Sequence, residues 1–348
     1  MRKQTKEVQI GKIKIGDNNS IAVQSMLSKR SDLIQENVEQ AIELENAGCD
    51  IIRISVPDLD SVKNIYEIKK KVSIPVVADI HFDPKLVIES VHAGVDKVRV
   101  NPGNINFDNN IKNISKLCLE KKVPIRIGIN SGSLEREVLS KYNKICAEAM
   151  CESAMYNIKL LEKYDFNNIV ISAKCSDVQM TVDTYKLISE KCDYPLHLGV
   201  TEAGTETMGT IKSAIGIGSL LVSGIGDTIR VSLTENPVKE VKTGINILKC
   251  LNLYKNNINI VSCPTCGRTK IDIINITKKV EKLLENSTKN IKVAIMGCAV
   301  NGPGEARDAD IGIAGGDKFG IIFKKGQVLK RVPEQNLIQE LLNEINLL

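Results

Sequence analysis

Short runs of β-branched residues alternate with amphipathic, helix-like stretches through the first two thirds of the chain. The eight predicted strands span residues 21–26, 51–56, 75–80, 97–100, 125–129, 168–173, 195–200 and 228–233. A helical segment follows each run; in the one over 32–48, Asp32 is a suitable N-cap and Gly48 a suitable stop. Eight βα units in about 250 residues predict a (β/α)8 TIM barrel, of α/β class, with a doubly wound open sheet as the alternative.

After residue 254 this rhythm changes. A polar linker is followed by a predicted strand (258–262), a helix (271–284), a strand (291–296) and a glycine-rich loop. Two short strands and a final helix from about residue 334 complete the pattern. The sequence therefore predicts two domains, a barrel over residues 1–255 and a small α+β domain over residues 256–348.

Composition narrows the class of protein. Hydrophobic residues make up 43% and charged residues 26% of the 348 positions, which is typical of a folded globular chain. The net charge of +5 is small and does not favour a nucleic-acid or membrane-surface partner. The charged start has no apolar run typical of a signal peptide, and no uncharged stretch is long enough to span a bilayer. We therefore expect a protein of the reducing cytoplasm.

The predicted strands carry cations where a barrel interior normally carries aliphatic side chains. Side chains alternate between the two faces of a strand, so residues two apart share a face. Five such cations come from five different strands: Arg53, Arg99, Arg126, Lys174 and Arg230. A buried cation cluster is unfavourable unless an anion fills it, and guanidinium groups match phosphate oxygens well. The pattern predicts a small phosphorylated or diphosphorylated substrate at the barrel mouth.

Other polar residues accompany these cations at the strand ends. Asp79, His81 and Glu202 are candidate acid–base groups, with simple hydrogen bonding to a substrate as the equal alternative. The remaining candidate substrate-binding residues are Asn101, Asn130, His197, Ser232 and, in the second domain, Asn301.

Three of the ten cysteines cluster, whereas the other seven are scattered and are expected to be structural. Cys263 and Cys266 form a C-x-x-C loop after a predicted strand, and Cys298 follows in a glycine-rich loop that also holds Glu305. Zinc normally takes a fourth Cys or a His, and none lies near; a redox dithiol would leave Cys298 unused. An iron–sulfur cluster with one oxygen ligand fits better, although zinc stays open. An exchangeable Glu305 ligand would leave one iron accessible to a substrate oxygen.

Several long motifs resemble the bacterial 4-hydroxy-3-methylbut-2-enyl diphosphate synthases, enzymes of non-mevalonate (MEP pathway) isoprenoid and terpenoid biosynthesis. The matching strings are Ala22-Val-Gln-Ser-Met26, Val76-Val-Ala-Asp-Ile-His-Phe82, Arg99-Val-Asn-Pro-Gly-Asn104, Arg126-Ile-Gly-Ile-Asn-Ser-Gly-Ser-Leu-Glu135, Leu196-His-Leu-Gly-Val-Thr-Glu-Ala-Gly204, Cys263-Pro-Thr-Cys266 and Asn301-Gly-Pro-Gly-Glu305. The resemblance runs from about residue 7 to the C-terminus. It departs after Met26, where Leu27-Ser28-Lys29 replaces a Thr-Asn-Thr-type run.

The resemblance implies an oxidoreductase that opens and dehydrates 2-C-methyl-D-erythritol 2,4-cyclodiphosphate with two electrons. It implies a [4Fe–4S] cluster on Cys263, Cys266, Cys298 and Glu305, and a flavodoxin or ferredoxin as electron donor. It also implies a homodimer in which the cluster domain of one subunit closes the barrel of the other. Two alternatives are a non-redox barrel transferase of the pterin-binding methyltransferase type and a zinc-stabilised binding module.

Overall fold

A computed structural model describes residues 2–81, 83–101, 110–255, 257–285, 287–299 and 302–348. The chain divides into two compact units, Met1–Leu251 and Asn252–Leu348, with a boundary four residues before the one expected from the sequence. Asn301, expected to contact substrate, lies outside the described residues.

The first unit is the predicted barrel. A hairpin, β1 (Val8–Ile10) and β2 (Ile13–Ile15), precedes eight parallel strands. These are β3 (Ala22–Met26), β4 (Ile51–Ser55), β5 (Val76–Ile80), β6 (Lys97–Val100), β7 (Ile125–Asn130), β8 (Ile169–Lys174), β9 (His197–Leu198) and β10 (Thr228–Ile229). Their order is β8-β7-β6-β5-β4-β3-β10-β9, and a parallel bridge between Ile171 and Leu196 joins β8 to β9. The strands thus form a ring, and the open-sheet alternative is wrong.

The hairpin covers the amino ends of the barrel strands. Its side chains Val8, Ile10 and Ile15 are at most 1% exposed and pack against the first inward residues of the strands. Those residues are Ala22, Ile51, Val77 and Val170. Sequence analysis missed this hairpin, because strands of three residues are too short to show an alternating pattern.

Helices surround the strand ring. They are α1 (Ile34–Asn46), α2 (Val62–Lys69), α3 (Pro84–His92), α4 (Ile111–Glu120), α5 (Arg136–Tyr142), α6 (Ala147–Glu162), α7 (Val178–Lys191), α8 (Glu206–Val222) and α9 (Pro237–Cys250). Asp83, Asp177 and Asn236 cap α3, α7 and α9 by accepting backbone N–H groups. Asp32 does not cap α1; its carboxylate instead pairs with Arg30, 2.7 Å away. None of the described helices is long and apolar enough to cross a membrane.

The last two barrel strands are shorter than predicted. Residues 195–200 contribute only β9, and residues 228–233 only β10. One residue past β10, the N–H of Arg230 still donates to the Leu198 carbonyl at 2.9 Å. The N–H of Leu233 donates to the Glu240 carboxylate at 2.9 Å. Three residues past Arg230, a side chain has thus replaced the neighbouring strand as the partner of the backbone.

The second unit is a five-stranded sheet with helices. Its elements are β11 (Ile258–Ser262), α10 (Ile273–Leu284), β12 (Ile291–Met296), α11 (Gly302–Glu305), β13 (Ile311–Gly315), β14 (Phe319–Lys324), β15 (Gln327–Pro333) and α12 (Leu337–Asn346). Strands β11, β12 and β13 are parallel, while β14 and β15 continue antiparallel. Three strands follow the glycine-rich loop, not two, because the hairpin turn at Lys325-Gly326 splits what reads as one segment. Helices α10 and α12 cover one face.

Candidate anion and metal sites

A polar pocket opens at the carboxyl ends of the barrel strands, where TIM barrels place their active sites. It is lined by Arg53, His81, Arg99, Arg126, Asn130, Ser172, Lys174, Thr201, Arg230 and Ser232. All five cations predicted from the strands therefore face one cavity. The candidates His81, Asn130 and Ser232 line the same cavity, together with Ser172 and Thr201, which were not among the candidate site residues.

Asp79 organises one side of this pocket. Its carboxylate lies 3.0 Å from Nη1 of Arg99, 3.4 Å from Nη2 of Arg53 and 3.1 Å from Nε2 of His81. Burial alone would raise the pKa of Asp79, but Arg53 and Arg99 outweigh it and hold that pKa well below its usual range. Asp79 is thus ionised and 1% exposed, and it orients three groups toward the pocket. An ionised carboxylate has no proton to donate.

Glu240 plays the same part on the opposite side. Sequence analysis missed this residue, although Glu240 is the one charged side chain among the buried positions of α9. Its carboxylate lies 3.1 Å from Nη2 of Arg230 and also accepts from the Ser25 hydroxyl at 3.0 Å. Arg230 is therefore fixed at the pocket wall by a buried partner.

The remaining pocket cations are not balanced. Arg126 is 1% exposed, and its Nε and Nη1 have no hydrogen-bond partner among the described residues. Lys174 is 7% exposed and forms no ion pair in that part of the chain. Burial, followed by repulsion from neighbouring cations, lowers the pKa of both groups well below its usual range. Burial, opposed by Asp79 and reinforced by Arg230, also lowers the pKa of Arg53 to about 10.

Two glycines make room for these cations. A Cβ on Gly128 would lie 2.2 Å from Nε of Arg99, and one on Gly199 would lie 2.5 Å from Nζ of Lys174. Neither distance is compatible with a side chain at the glycine, so both positions require the missing Cβ. The barrel backbone is thus shaped around the cationic side chains.

A second polar layer lies beneath the pocket. His197 is fully buried; its Nδ1 is 2.7 Å from the Thr228 hydroxyl, and its Nε2 has no partner within the described chain. It does not line the pocket, in contrast to the expected substrate contact. Lys97, also fully buried, shares the inward face of β6 with Arg99. It is a sixth strand cation that sequence analysis did not name, although it shares the two-residue period with Arg99.

The other expected residues lie near the rim. Asn101 is 1% exposed and donates to the Ser133 hydroxyl at 2.9 Å. Glu202 is exposed and follows Thr201 of the pocket wall. Its φ of 51° is in the left-handed region that disfavours non-glycine residues.

The clustered cysteines lie on neighbouring loops of the second unit. Cys263 directly follows β11 and Cys298 follows the adjacent parallel strand β12, so both lie at the same sheet edge. The N–H of Gly297 donates to Sγ of Cys263 at 3.2 Å. Hydrogen bonds from Arg268 lower the pKa of the exposed Cys266 thiol. These contacts suit thiolate ligands, which accept backbone N–H groups.

The thiols are close in the fold but not gathered as a finished site. Within the described residues, no group of three or more His, Cys, Asp or Glu side chains is arranged to hold a metal ion. Glu305 ends α11 and is exposed. Of the seven scattered cysteines, Cys49, Cys118, Cys151 and Cys175 are buried, Cys146 and Cys192 are half-buried, and Cys250 is exposed.

Comparison with known proteins decides the family. Residues 5–245 match the GcpE TIM-barrel domain, and residues 259–347 match the GcpE protein C-terminal domain. The chain belongs to the GcpE family. A relative from Caldanaerobacter subterraneus is 57% identical over 345 residues, covering 99% of this chain and 97% of the relative. One from Clostridium acetobutylicum is 54% identical, covering 99% of each. Both are called 4-hydroxy-3-methylbut-2-en-1-yl diphosphate synthase (flavodoxin).

Solved structures support the barrel alone. The dihydropteroate synthase of Stenotrophomonas maltophilia superposes with a TM-score of 0.52 at 11% identity, covering 71% of this chain and 97% of that one. That of Burkholderia cenocepacia gives 0.51 at 11% identity over 71% and 96%. Likeness at this identity concerns the fold and not the activity. The GcpE match extends through both units, so the alternative of a pterin-type transferase is not favoured.

Proposed function

We propose that this GcpE protein reductively opens and dehydrates 2-C-methyl-D-erythritol 2,4-cyclodiphosphate to (E)-4-hydroxy-3-methylbut-2-enyl diphosphate. The names of its relatives support this activity. The observation that carries it to this chain is the pocket of five cations, of which Arg126 and Lys174 have no carboxylate partner among the described residues. A diphosphate supplies the charge that this pocket lacks.

The pocket cations bind the diphosphate and stabilise the charge that develops on it. Arg53, Arg99 and Arg230 are held in place by Asp79 and Glu240, so their N–H groups are oriented before substrate arrives. Opening the cyclic diphosphate transfers negative charge to a phosphate oxygen. Preorganised cations stabilise that charge in the transition state as well as in the bound substrate.

The residues of the second unit fit an iron–sulfur cluster by donor chemistry. Cys263, Cys266 and Cys298 would hold it, with Glu305 as the fourth ligand. Three thiols on loops at one sheet edge, with Gly297 donating to Cys263, are the observation that supports this assignment. When bound, a [4Fe–4S] cluster supplies single electrons and one iron with an exchangeable ligand.

The rim residues are proposed to manage protons. Glu202 is exposed beside the pocket wall and is our candidate proton donor at its carboxyl oxygen. His81 lies 3.0 Å from Nη1 of Arg99 and is the alternative donor. Hydrogen bonds to the substrate would come from Asn101, Asn130, Ser232 and Asn301. His197 would act indirectly, through its contact with the Thr228 hydroxyl.

The activity is tested by anaerobic turnover. Protein reconstituted with iron and sulfide is incubated with the cyclic diphosphate and chemically reduced flavodoxin, and the product is identified by mass spectrometry. We expect product from the wild type, with a large loss in Arg126→Met and in Cys263→Ser. Exposed Lys186 offers a matched control, because Lys186→Met leaves the pocket intact. Turnover without reductant would contradict a redox reaction.

Metal analysis of the same preparation decides between iron and zinc. We expect iron and sulfide with a broad charge-transfer absorption, both lost in Cys298→Ser. Zinc and a colourless protein would contradict the cluster.

A homodimer and a flavodoxin donor complete the proposal. Light scattering should give twice the chain mass. Mixing Arg126→Met with Cys263→Ser should restore activity if one subunit's barrel works with its partner's cluster domain. If dimers form but the mixture stays inactive, the shared site is wrong. Replacing flavodoxin by ferredoxin in the turnover assay identifies the preferred donor.

A further inference from the structure

Lys97 is a buried amine without a counter-charge among the described residues. Its side chain is fully buried, and Nζ has no hydrogen-bond partner in the part of the chain that the structure describes. It does not line the pocket. The charged groups that act on it are Arg126 and Arg53, both of the same sign. A protonated amine there would be both desolvated by burial and repelled by the two neighbouring cations.

Among the described residues, no carboxylate compensates a charge on Lys97. Asp79 is committed to Arg53, Arg99 and His81, and the inward residue opposite Lys97 on β5 is Val77. On the other side, Arg126 has two N–H groups without a described partner. A neutral amine carries a lone pair, so an unprotonated Lys97 can accept from a guanidinium where a protonated one cannot.

We propose that Lys97 is neutral while the barrel pocket is empty and takes up one proton when an anion binds above it. The inference rests on the proposed anion pocket. An anion on Arg126 and Arg53 cancels the two repulsions, so the lone pair of Nζ takes a proton from a buffer acid or hydronium ion, which is left as its conjugate base. Lys97 then acts as a positioning residue: it never touches substrate but adds a positive charge beneath it only when negative charge has arrived.

Two neighbouring groups compete for this assignment. Lys174 lines the pocket, is buried, and is repelled by Arg126 and Arg230. His197 faces Arg126, Lys174 and Lys97, and its pKa is lowered by burial and by those cations in that order. Lys97 is favoured because its Nζ is the most enclosed amine, with neither a solvent-exposed surface nor a described partner.

Calorimetry measures the proton directly. Sulfate is titrated into the full-length protein at pH 7.5 in buffers of different ionisation enthalpy, since sulfate does not itself titrate near that pH. The slope of the observed enthalpy against buffer enthalpy gives protons taken up per sulfate. We expect uptake approaching one for the wild type and for the exposed-lysine control Lys186→Gln. Lys97→Gln should bind with at least a threefold weaker affinity and with uptake near zero.

Each outcome distinguishes the two proposals. Sulfate binding with no uptake in the wild type, or with equal uptake in Lys97→Gln, would overturn the role of Lys97 and leave the anion pocket standing. Uptake lost only in Lys174→Gln or His197→Gln would assign the proton elsewhere. If neither sulfate nor pyrophosphate bound, the anion pocket itself would be wrong. Should Lys97→Gln fold poorly, the pH dependence of wild-type sulfate affinity replaces it: affinity that does not weaken from pH 7 to 9 contradicts the proposal.

Discussion

Arg126→Met tests whether the barrel holds charge for a ligand or for its own stability. Arg126 is 1% exposed and two of its N–H groups have no described partner, so the empty barrel bears a desolvated and repelled charge. Replacing buried ionic groups by apolar ones of similar volume often stabilises a protein by about 1–4 kcal/mol. Because Arg126 forms no ion pair within the described residues, its removal leaves no partner charge behind, and we expect the ligand-free variant to be about 1–3 kcal/mol more stable than the wild type.

The same substitution should weaken the binding of pyrophosphate. A hydrogen bond to a charged group contributes about 1.5–3 kcal/mol, so pyrophosphate should bind roughly 10–100-fold more weakly to Arg126→Met. Pyrophosphate at 100 times the wild-type Kd stabilises the wild type by about 2.7 kcal/mol. If affinity falls 100-fold, the same concentration stabilises the variant by only about 0.4 kcal/mol. The two stabilities should therefore converge or cross as the anion is added.

The assay must report on the barrel alone, because a chain with two units need not unfold in one step. Native-state hydrogen exchange of amides in β4 to β8 reports barrel opening, with and without pyrophosphate. Arg126→Lys is the matched control, since it keeps the charge but loses the guanidinium fork. Destabilisation of ligand-free Arg126→Met by more than about 2 kcal/mol, together with unchanged pyrophosphate affinity, would refute the reasoning and make Arg126 structural.

Three further predictions follow from the same contacts. Gly128→Ala should displace Arg99, whose Nε lies 2.2 Å from the added Cβ, and weaken pyrophosphate binding about tenfold. The control in calorimetry is Gly132→Ala, where the added Cβ meets open space. Equal pyrophosphate affinities of the two variants would contradict the prediction. His197 stays neutral in the folded barrel, so below about pH 6.5 the unfolded chain binds one more proton, and the free energy of unfolding falls with falling pH by up to about 1.4 kcal/mol per pH unit. In urea unfolding, His197→Gln should remove this contribution to the pH dependence. An unchanged pH dependence would mean that His197 is protonated in the fold. Ile10→Ala should lower the free energy of barrel opening, measured by hydrogen exchange, by about 2–5 kcal/mol. The loss should be smaller for Ile13→Ala, because Ile13 is only partly buried. A smaller loss for Ile10→Ala than for Ile13→Ala would show that the hairpin does not seal the barrel.

The pocket cations could be predicted from the sequence because the two-residue alternation of side chains along a strand is a local pattern. Arg53, Arg99 and Arg126 occupy inward positions that follow from two-residue alternation, and parallel strands bring their carboxyl ends together. The counter-ions differ. Asp79 lies on a strand, two residues from His81, and was found, whereas Glu240 lies on α9, ten residues after Arg230. Two-residue alternation ends with the strand, so it could not place a residue of the following helix.

Lys97 shows a different limit. Its position on the inward face is as readable as that of Arg99, yet only the register places it one step deeper than the pocket. The same holds for His197, which was expected to contact substrate and is fully buried, outside the lining of the pocket. Two-residue alternation predicts which face of a strand a side chain occupies. Its depth within the barrel depends on the stagger between strands, which is set by the packing of the whole barrel and not by the local sequence.

The amino-terminal hairpin has a consequence for how the charges in the barrel can be studied. Val8, Ile10 and Ile15 close the barrel at the end opposite the pocket, so water has no short route to Lys97 or His197 from below. Removing the hairpin would hydrate that floor, raise the lowered pKa values of the buried bases and weaken the electrostatic coupling between them and a bound anion. A truncated or repositioned amino terminus would then change the proton chemistry of a site that it never touches.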